Sequence, residues 1–170
     1  MCLIPDYKQM TRNEYNKAVD LYADGLYRFI LRSMNDSEAA KDVVQDVFTK
    51  LWLKHENVQF EKTKSYLFTA GYRTMLNAIR DNKRAASFDE VTESKYAHEK
   101  QYSDLNEILD EAVKKLPEDQ RTIILLRDYE GYSYQEIGEI MNFNESQVKV
   151  YIFRARKFLQ QYLKSVETVL

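Results

Sequence analysis

The stretch SYQEIGEIMNFNESQVKVYIFRARKFL, residues 133–159, decides the fold of the second half of the chain. Ser133 is a good helix N-cap, and Glu136 three residues on completes a capping box, so a helix starts at Tyr134. That helix is short. It ends at Met141, because Asn142 is one of the few non-glycine residues at home in a left-handed turn. Asn144 is then a second N-cap, and a longer helix runs from Glu145 to about Lys164. Ile137, Ile140 and Met141, Phe143 in the turn, and Val148, Ile152, Ala155 and Leu159 form the shared apolar side. Gly138 is small where two helices must cross closely. The layout is a helix-turn-helix. Asn144, Glu145, Ser146, Gln147, Lys149, Val150, Tyr151 and Arg154 occupy the remaining surface of the second helix. Its first half carries groups able to read base edges, and its second half is rich in phosphate-binding cations. A plain helical hairpin with a basic face is the competing reading.

Upstream of that motif, Leu105, Ile108, Leu109, Ala112, Val113 and Leu116 recur at helical spacing. Pro117 follows where a first helical position tolerates it, with Glu118 and Asp119 in the first turn. Ile123 to Leu126 continue this helix, and Gly131 closes it. The N-terminal half shows three further helices. Glu14 to Met34 places Ala18, Leu21, Tyr22, Leu26, Phe29 and Ile30 on one face. Asp36-Ser37-Glu38 opens the second, whose stripe is Ala40, Val43, Val44, Val47, Phe48, Leu51 and Trp52. The third, about Ser65 to Lys83, turns Leu67, Ala70, Met75, Leu76 and Ile79 inward. The expected fold is all-α: one helical domain at 10–85, an acidic linker at 86–104, and a helix-turn-helix domain at 105–166.

Composition agrees with this and narrows it. The 170 residues include four Gly and two Pro, far below average usage of about 7% and 5%. Sandwiches and barrels need such residues in their tight turns, so they are excluded. No apolar run of about eighteen residues encodes a membrane span. Met1 to Tyr7 lack the pattern of a signal peptide, so a cytoplasmic protein is expected. One Cys permits no internal disulfide and no zinc site built on Cys pairs. His55 and His98 stand far apart, and there is no His-Glu-x-x-His, phosphate loop or Cys-His pairing. Neither an enzyme nor a cofactor is expected.

The net charge of −2 hides a pattern. Residues 73–84 carry four bases against Asp81, and residues 144–164 carry five against Glu145. Between them, residues 85–111 hold eight acids against two lysines. Two basic segments flank an acidic one. In the third helix Tyr66, Phe68 and Tyr72 are interleaved with Arg73, Asn77, Arg80, Asn82, Lys83 and Arg84. Rings beside cations suit unpaired bases, each base offering a face to stack and each phosphate a charge to neutralise. Phe68 is the ring most suited to the core.

Four blocks, in order, carry a resemblance. They are Asp36-Ser37-Glu38-Ala39-Ala40-Lys41-Asp42-Val43-Val44-Gln45-Asp46-Val47-Phe48 with Leu51-Trp52; Tyr66-Leu67-Phe68-Thr69-Ala70 and the helix after it; Leu116-Pro117-Glu118-Asp119-Gln120-Arg121 with Gly131-Tyr132-Ser133-Tyr134-Gln135-Glu136-Ile137; and Val148-Lys149 with Arg154-Ala155-Arg156-Lys157. The ordered set, over about residues 14–165, resembles the extracytoplasmic-function (ECF) class of bacterial RNA polymerase sigma factors, of the sigma-70 family. The resemblance implies that Asp42, Gln45 and Asp46, with Glu38, dock on the polymerase's largest subunit. It implies that Tyr72 to Arg84, with Tyr66, melt and read the minus-ten element. The helix-turn-helix, Asn144 to Arg154, would read the minus-thirty-five element. Core RNA polymerase, promoter DNA and an anti-sigma factor are the implied partners, with no small-molecule substrate. The chain has Tyr72-Arg73 and Asn77 where the family often has Arg-Asn and Asp, and Val150-Tyr151 where small or basic residues are common. The alternative is a helix-turn-helix regulator, repressor or activator, with a helical dimerisation or sensing domain. It explains residues 117–164 equally well but gives no reason for the acidic face or the aromatic-basic third helix.

Overall fold

The structure, a computed structural model, describes residues 10–86 and 105–167. The acidic linker expected from 86 onward lies, after Ala86, outside the described residues, as do Cys2, Pro5 and His98. The described residues form helices and connecting turns, with no strand among them. None of these helices is long and apolar enough to cross a membrane. The chain divides into two compact units after Leu76, and each is described by itself.

In the first unit, α1 spans Arg12–Met34 and α2 spans Ser37–Leu53. Helix α1 begins two residues before the expected Glu14, because Thr11 and Glu14 form a capping box. Asn35 sits in the left-handed region at φ 55° and donates its N–H to the Leu31 carbonyl, ending α1 at 2.7 Å. Asp36 then caps α2, its Oδ1 accepting from the N–H groups of Glu38 at 3.0 Å and Ala39 at 3.1 Å. Ala18, Leu26, Phe29 and Ile30 of α1 and Ala40, Val43, Val47, Phe48 and Leu51 of α2 are buried. Leu21, expected in the core, is exposed, and so in part is Trp52. Both lie at the margin of their stripes. Trp52 packs edge-on to Tyr15 at 4.9 Å and stacks on His55 at 5.0 Å.

Two short 3-10 turns, His55–Asn57 and Phe60–Lys62, lead to α3, Thr63–Ala86. Gly71 gives α3 its close approach to α1. A Cβ there would lie 2.9 Å from Leu26 Cδ1. Phe68, buried, meets Phe29 at 5.6 Å.

The second unit contains α4 (Leu105–Lys114), α5 (Glu118–Ile124), α6 (Tyr134–Met141) and α7 (Glu145–Glu167). Pro117 is the N-cap of α5, with φ −52° and ψ 148°, and not its first helical residue. No side chain caps the N–H groups at this start. The Arg121 guanidinium reaches back to the carbonyls of Lys114 at 2.8 Å and Leu116 at 3.0 Å, satisfying the open end of α4. Burial pulls this guanidinium below its usual range, with Glu118 partly offsetting the shift.

Helix α5 widens into a π turn over Leu125–Tyr129, which the sequence does not announce. Gly131 follows at φ +75°, a conformation that favours glycine. Helix α7 packs against α4, α5 and α6. Leu116, Ile124 and Ala155 form the buried centre of one such contact, flanked by Phe158 and Leu159.

The capping box that opens α6 is as expected: Glu136 N–H donates to Ser133 Oγ at 3.2 Å, and Ser133 N–H donates to Glu136 Oε2 at 2.7 Å. Ser133→Ala is expected to lower stability by about 1 kcal/mol, read by urea denaturation of the full chain. A loss below a few tenths would mean that packing alone holds α6 in place.

Candidate nucleic-acid and polymerase interfaces

Three helices carry the candidate residues, and each presents them by burying the opposite stripe. On α2, Glu38, Asp42, Gln45 and Asp46 are all exposed. At 3.6 residues per turn they share one face, turned away from Val43, Val47 and Leu51. Two of the acids have basic neighbours. Lys41 lies 2.9 Å from Glu38, and Lys50 lies 2.6 Å from Asp46. Lys50 also donates to Thr74 Oγ1 at 3.2 Å, which ties α2 to α3.

On α3 the structure divides the expected set. Tyr66, Arg73, Asn77, Arg80 and Arg84 fall at spacings of seven, four, three and four residues, and so run along one stripe. Arg73, Asn77, Arg80 and Arg84 are exposed, and Tyr66 is partly so. Burial pushes the Tyr66 phenol above its ordinary range, and nearby Lys50 pulls it partly back. Lys83 is exposed but lies roughly a quarter-turn off the stripe. Tyr72 is corrected outright. It is only 6% exposed, four residues after Phe68 and three before Met75, both buried. Its ring belongs to the core, so it is not on the surface for base stacking. Helical spacing alone carried that signal.

On α6 and α7 the helix-turn-helix forms as expected, with α7 running three residues past Lys164 to Glu167. Asn142 takes the left-handed conformation at φ 59°. Phe143 N–H donates to the Gly138 carbonyl at 2.9 Å. Gly138 is small for a reason different from the one expected. A Cβ there would lie 2.6 Å from the Phe143 carbonyl oxygen, so it clears the turn and not the crossing helix. Val148, Ile152 and Ala155 are buried, while Asn144, Glu145, Ser146, Gln147, Lys149, Val150 and Arg154 are exposed. Tyr151 is partly buried and stacks on Phe143 at 5.5 Å.

Sequence reading missed how many of these side chains engage one another. Gln147 N–H donates to Asn144 Oδ1 at 2.8 Å, and Asn144 N–H donates to Gln147 Oε1 at 2.9 Å, a third capping box. The Asn-x-x-Gln spacing could have given it away. Lys149 pairs with Glu145 at 2.7 Å, which holds its ammonium above the usual range. The π turn of α5 also contributes. It places Arg127 over the Tyr134 ring at 4.8 Å and Asp128 2.7 Å from Arg156. Among the described residues no cluster of His, Cys, Asp and Glu could hold a metal ion.

Both halves of the chain have counterparts among known proteins. Residues 18–85 match the Sigma-70 region 2 family and residues 106–159 match Sigma-70, region 4. RNA polymerase sigma factor SigV of Bacillus subtilis (strain 168) is 30% identical over 159 residues, spanning 90% of this chain and 93% of the relative. ECF RNA polymerase sigma factor SigM of the same organism is 26% identical over 145 residues, spanning 82% and 89%. Among solved structures, the sigma factor RpoE from Bartonella quintana, in a co-crystal with the anti-sigma factor NepR, superposes with a TM-score of 0.77. It is 27% identical, over 89% of this chain and 98% of that one. The regulator alternative has no use for a region 2 match in the first half and is not favoured. With both regions in order and relatives matched over nearly their whole length, the chain belongs to the ECF RNA polymerase sigma factors of the sigma-70 family.

Proposed function

We propose a division of labour among the three exposed faces, within a function that the family membership itself gives. The protein is a transcription initiation factor that binds core RNA polymerase and directs it to promoters. Sigma factors are non-catalytic. The α2 face of Glu38, Asp42, Gln45 and Asp46 docks on core polymerase. The α3 stripe of Tyr66, Arg73, Asn77, Arg80 and Arg84, with Lys83 beside it, engages the opened minus-ten strand. Helices α6 and α7 read the minus-thirty-five duplex from Asn144 to Arg154. Residues 10–85 and 105–166 act as the two functional bodies. An anti-sigma factor, the kind of partner seen with the Bartonella relative, completes the set.

The observation that carries this reading is the segregation of charge by helix. One helix exposes acids and another a stripe of cations, although the whole chain is nearly neutral. An acidic face suits a protein partner and repels DNA, while a cationic stripe releases counterions from a phosphate backbone. Transcription from promoter libraries with reconstituted polymerase, followed by start mapping, tests it. The chain should enable core polymerase to initiate at a defined promoter class carrying both elements. Core polymerase that initiates no more specifically with the chain than without it overturns the reading.

Arg154 supplies a finer check. It is exposed on the C-terminal side of the reading segment, where a cation meets phosphate rather than a base edge. Arg154→Ala should weaken holoenzyme binding about uniformly across upstream sequences and lower the slope of log affinity against log salt by about 1. A change confined to one base position would move Arg154 to base reading.

A further inference from the structure

Helix α7 offers its reading side chains unevenly. Several hydrogen-bonding groups at its start are engaged within the protein. Asn144 and Gln147 cap the helix reciprocally at 2.8 and 2.9 Å. Lys149 is held by Glu145, and the Tyr151 ring lies on Phe143. Opposite the buried line of Val148, Ile152 and Ala155, the outward ridge is Ser146, Val150, Phe153, Arg154 and Lys157. At its middle stand two apolar residues, Val150 at 46% and Phe153 at 68% exposure. Three residues apart on a helix, they are neighbours.

A single exposed apolar side chain on a protein surface is ordinary. Position makes this one different. Along the outward ridge of a helix seated in the major groove, the N-terminal part faces base edges and the C-terminal end meets the backbone. Valine has no donor or acceptor and therefore cannot read the hydrogen-bonding pattern of a base. The apolar group that a base edge presents in that groove is the C5 methyl of thymine. Adenine, guanine and cytosine present polar atoms there, and a valine pressed against them strips their water without replacing its hydrogen bonds.

We propose that Val150 is a specificity-determining residue that packs against the 5-methyl group of a thymine in the upstream promoter element, with Phe153 beside it. This rests on the reading of α7 as the upstream-element helix and adds to it the chemical group selected. Cytosine is rejected at that step because it lacks the methyl. 5-Methylcytosine restores the methyl but not the thymine O4 acceptor, so it distinguishes methyl contact from recognition of the whole base.

The test uses holoenzyme reconstituted from the full chain and core RNA polymerase. Duplexes with a randomised upstream element are selected for binding, and each thymine of the selected element, on either strand, is replaced in turn by deoxyuridine. One position should lose affinity about fourfold, the effect of one buried methyl. With Val150→Ala the thymine duplex should bind as weakly as the deoxyuridine duplex, and replacement at that position should no longer matter. At the same position 5-methylcytosine should bind better than cytosine to the unsubstituted protein, and no better to Val150→Ala. A selected element whose thymines tolerate deoxyuridine throughout, or whose deoxyuridine effects persist unchanged in Val150→Ala, overturns the proposal and leaves α7 as the reader. Failure to select any upstream sequence overturns the reading of α7 and the proposal with it.

Discussion

Asp46→Arg is expected to abolish association with core RNA polymerase while the helical unit that carries it stays folded. The two halves of that statement have different magnitudes. In the free protein Asp46 pairs with Lys50 at 2.6 Å, and both side chains are about half exposed. Such a pair contributes about 0.2–1 kcal/mol, and reversing one charge adds an i,i+4 repulsion of a few tenths. Against a domain stability of about 5–15 kcal/mol this is minor. At a docking surface the same reversal sets like charges against each other, which costs several kcal/mol. Since about 1.4 kcal/mol is a factor of ten, affinity should fall at least about a hundredfold. Titration with fluorescently labelled core polymerase measures it, and circular dichroism melting checks the fold. Lys50→Ala separates the two causes: it removes the ion pair but leaves the acid, and should keep most of the affinity. Undiminished co-purification of Asp46→Arg with the core enzyme would falsify the α2 docking assignment.

The second large effect falls on the turn of the helix-turn-helix. Gly138→Ala should destabilise the second unit and remove upstream-element binding together. On an exposed helix, alanine in place of glycine stabilises by about 1 kcal/mol. Here the added Cβ would stand 2.6 Å from the Phe143 carbonyl oxygen. A backbone atom cannot rotate away, so the turn must shift, straining the hydrogen bond from Phe143 N–H to the Gly138 carbonyl. Overpacking of this kind costs about 1–3 kcal/mol, enough to outweigh the helical gain. Gly71→Ala is the natural comparison. Its Cβ would meet Leu26 Cδ1, the tip of a flexible side chain, at 2.9 Å. The expectation is a clearly lowered melting temperature for Gly138→Ala and a smaller change for Gly71→Ala. Equal effects would show that the carbonyl contact is not what makes Gly138 necessary.

Much of this was legible in the chain, and the legible parts share a cause. Asp36, Ser133 and Asn142 act through backbone within a few residues, so local rules place them correctly. The buried stripes of α1, α2 and α7 also follow, because helical periodicity is the record of one-sided burial. What escaped depends on neighbours distant in sequence or on engagement among side chains. Leu21 fits the periodicity of α1, yet it lies at the margin of the stripe and is exposed. Arg121 looks like a surface cation until its carbonyl partners at the end of α4 are known. The π turn at Leu125–Tyr129 has no sequence signature, although it sets Arg127 and Asp128 against Tyr134 and Arg156. Tyr72 is the instructive miss among the candidate residues. Its place in the interval from Phe68 to Met75 marked it as core, but the attraction of a tyrosine beside an arginine prevailed.

The reciprocal cap between Asn144 and Gln147 reaches beyond stability. It fastens the start of α7 with side chains that are not needed at the centre of the outward ridge. Positions 146, 150 and 153 are thereby relieved of any part in holding the helix together. On the proposed reading of α7, exchanges there retune promoter choice without weakening the scaffold, so lineages, or a designer seeking orthogonal promoters, can drift through new specificities while the protein remains soundly folded.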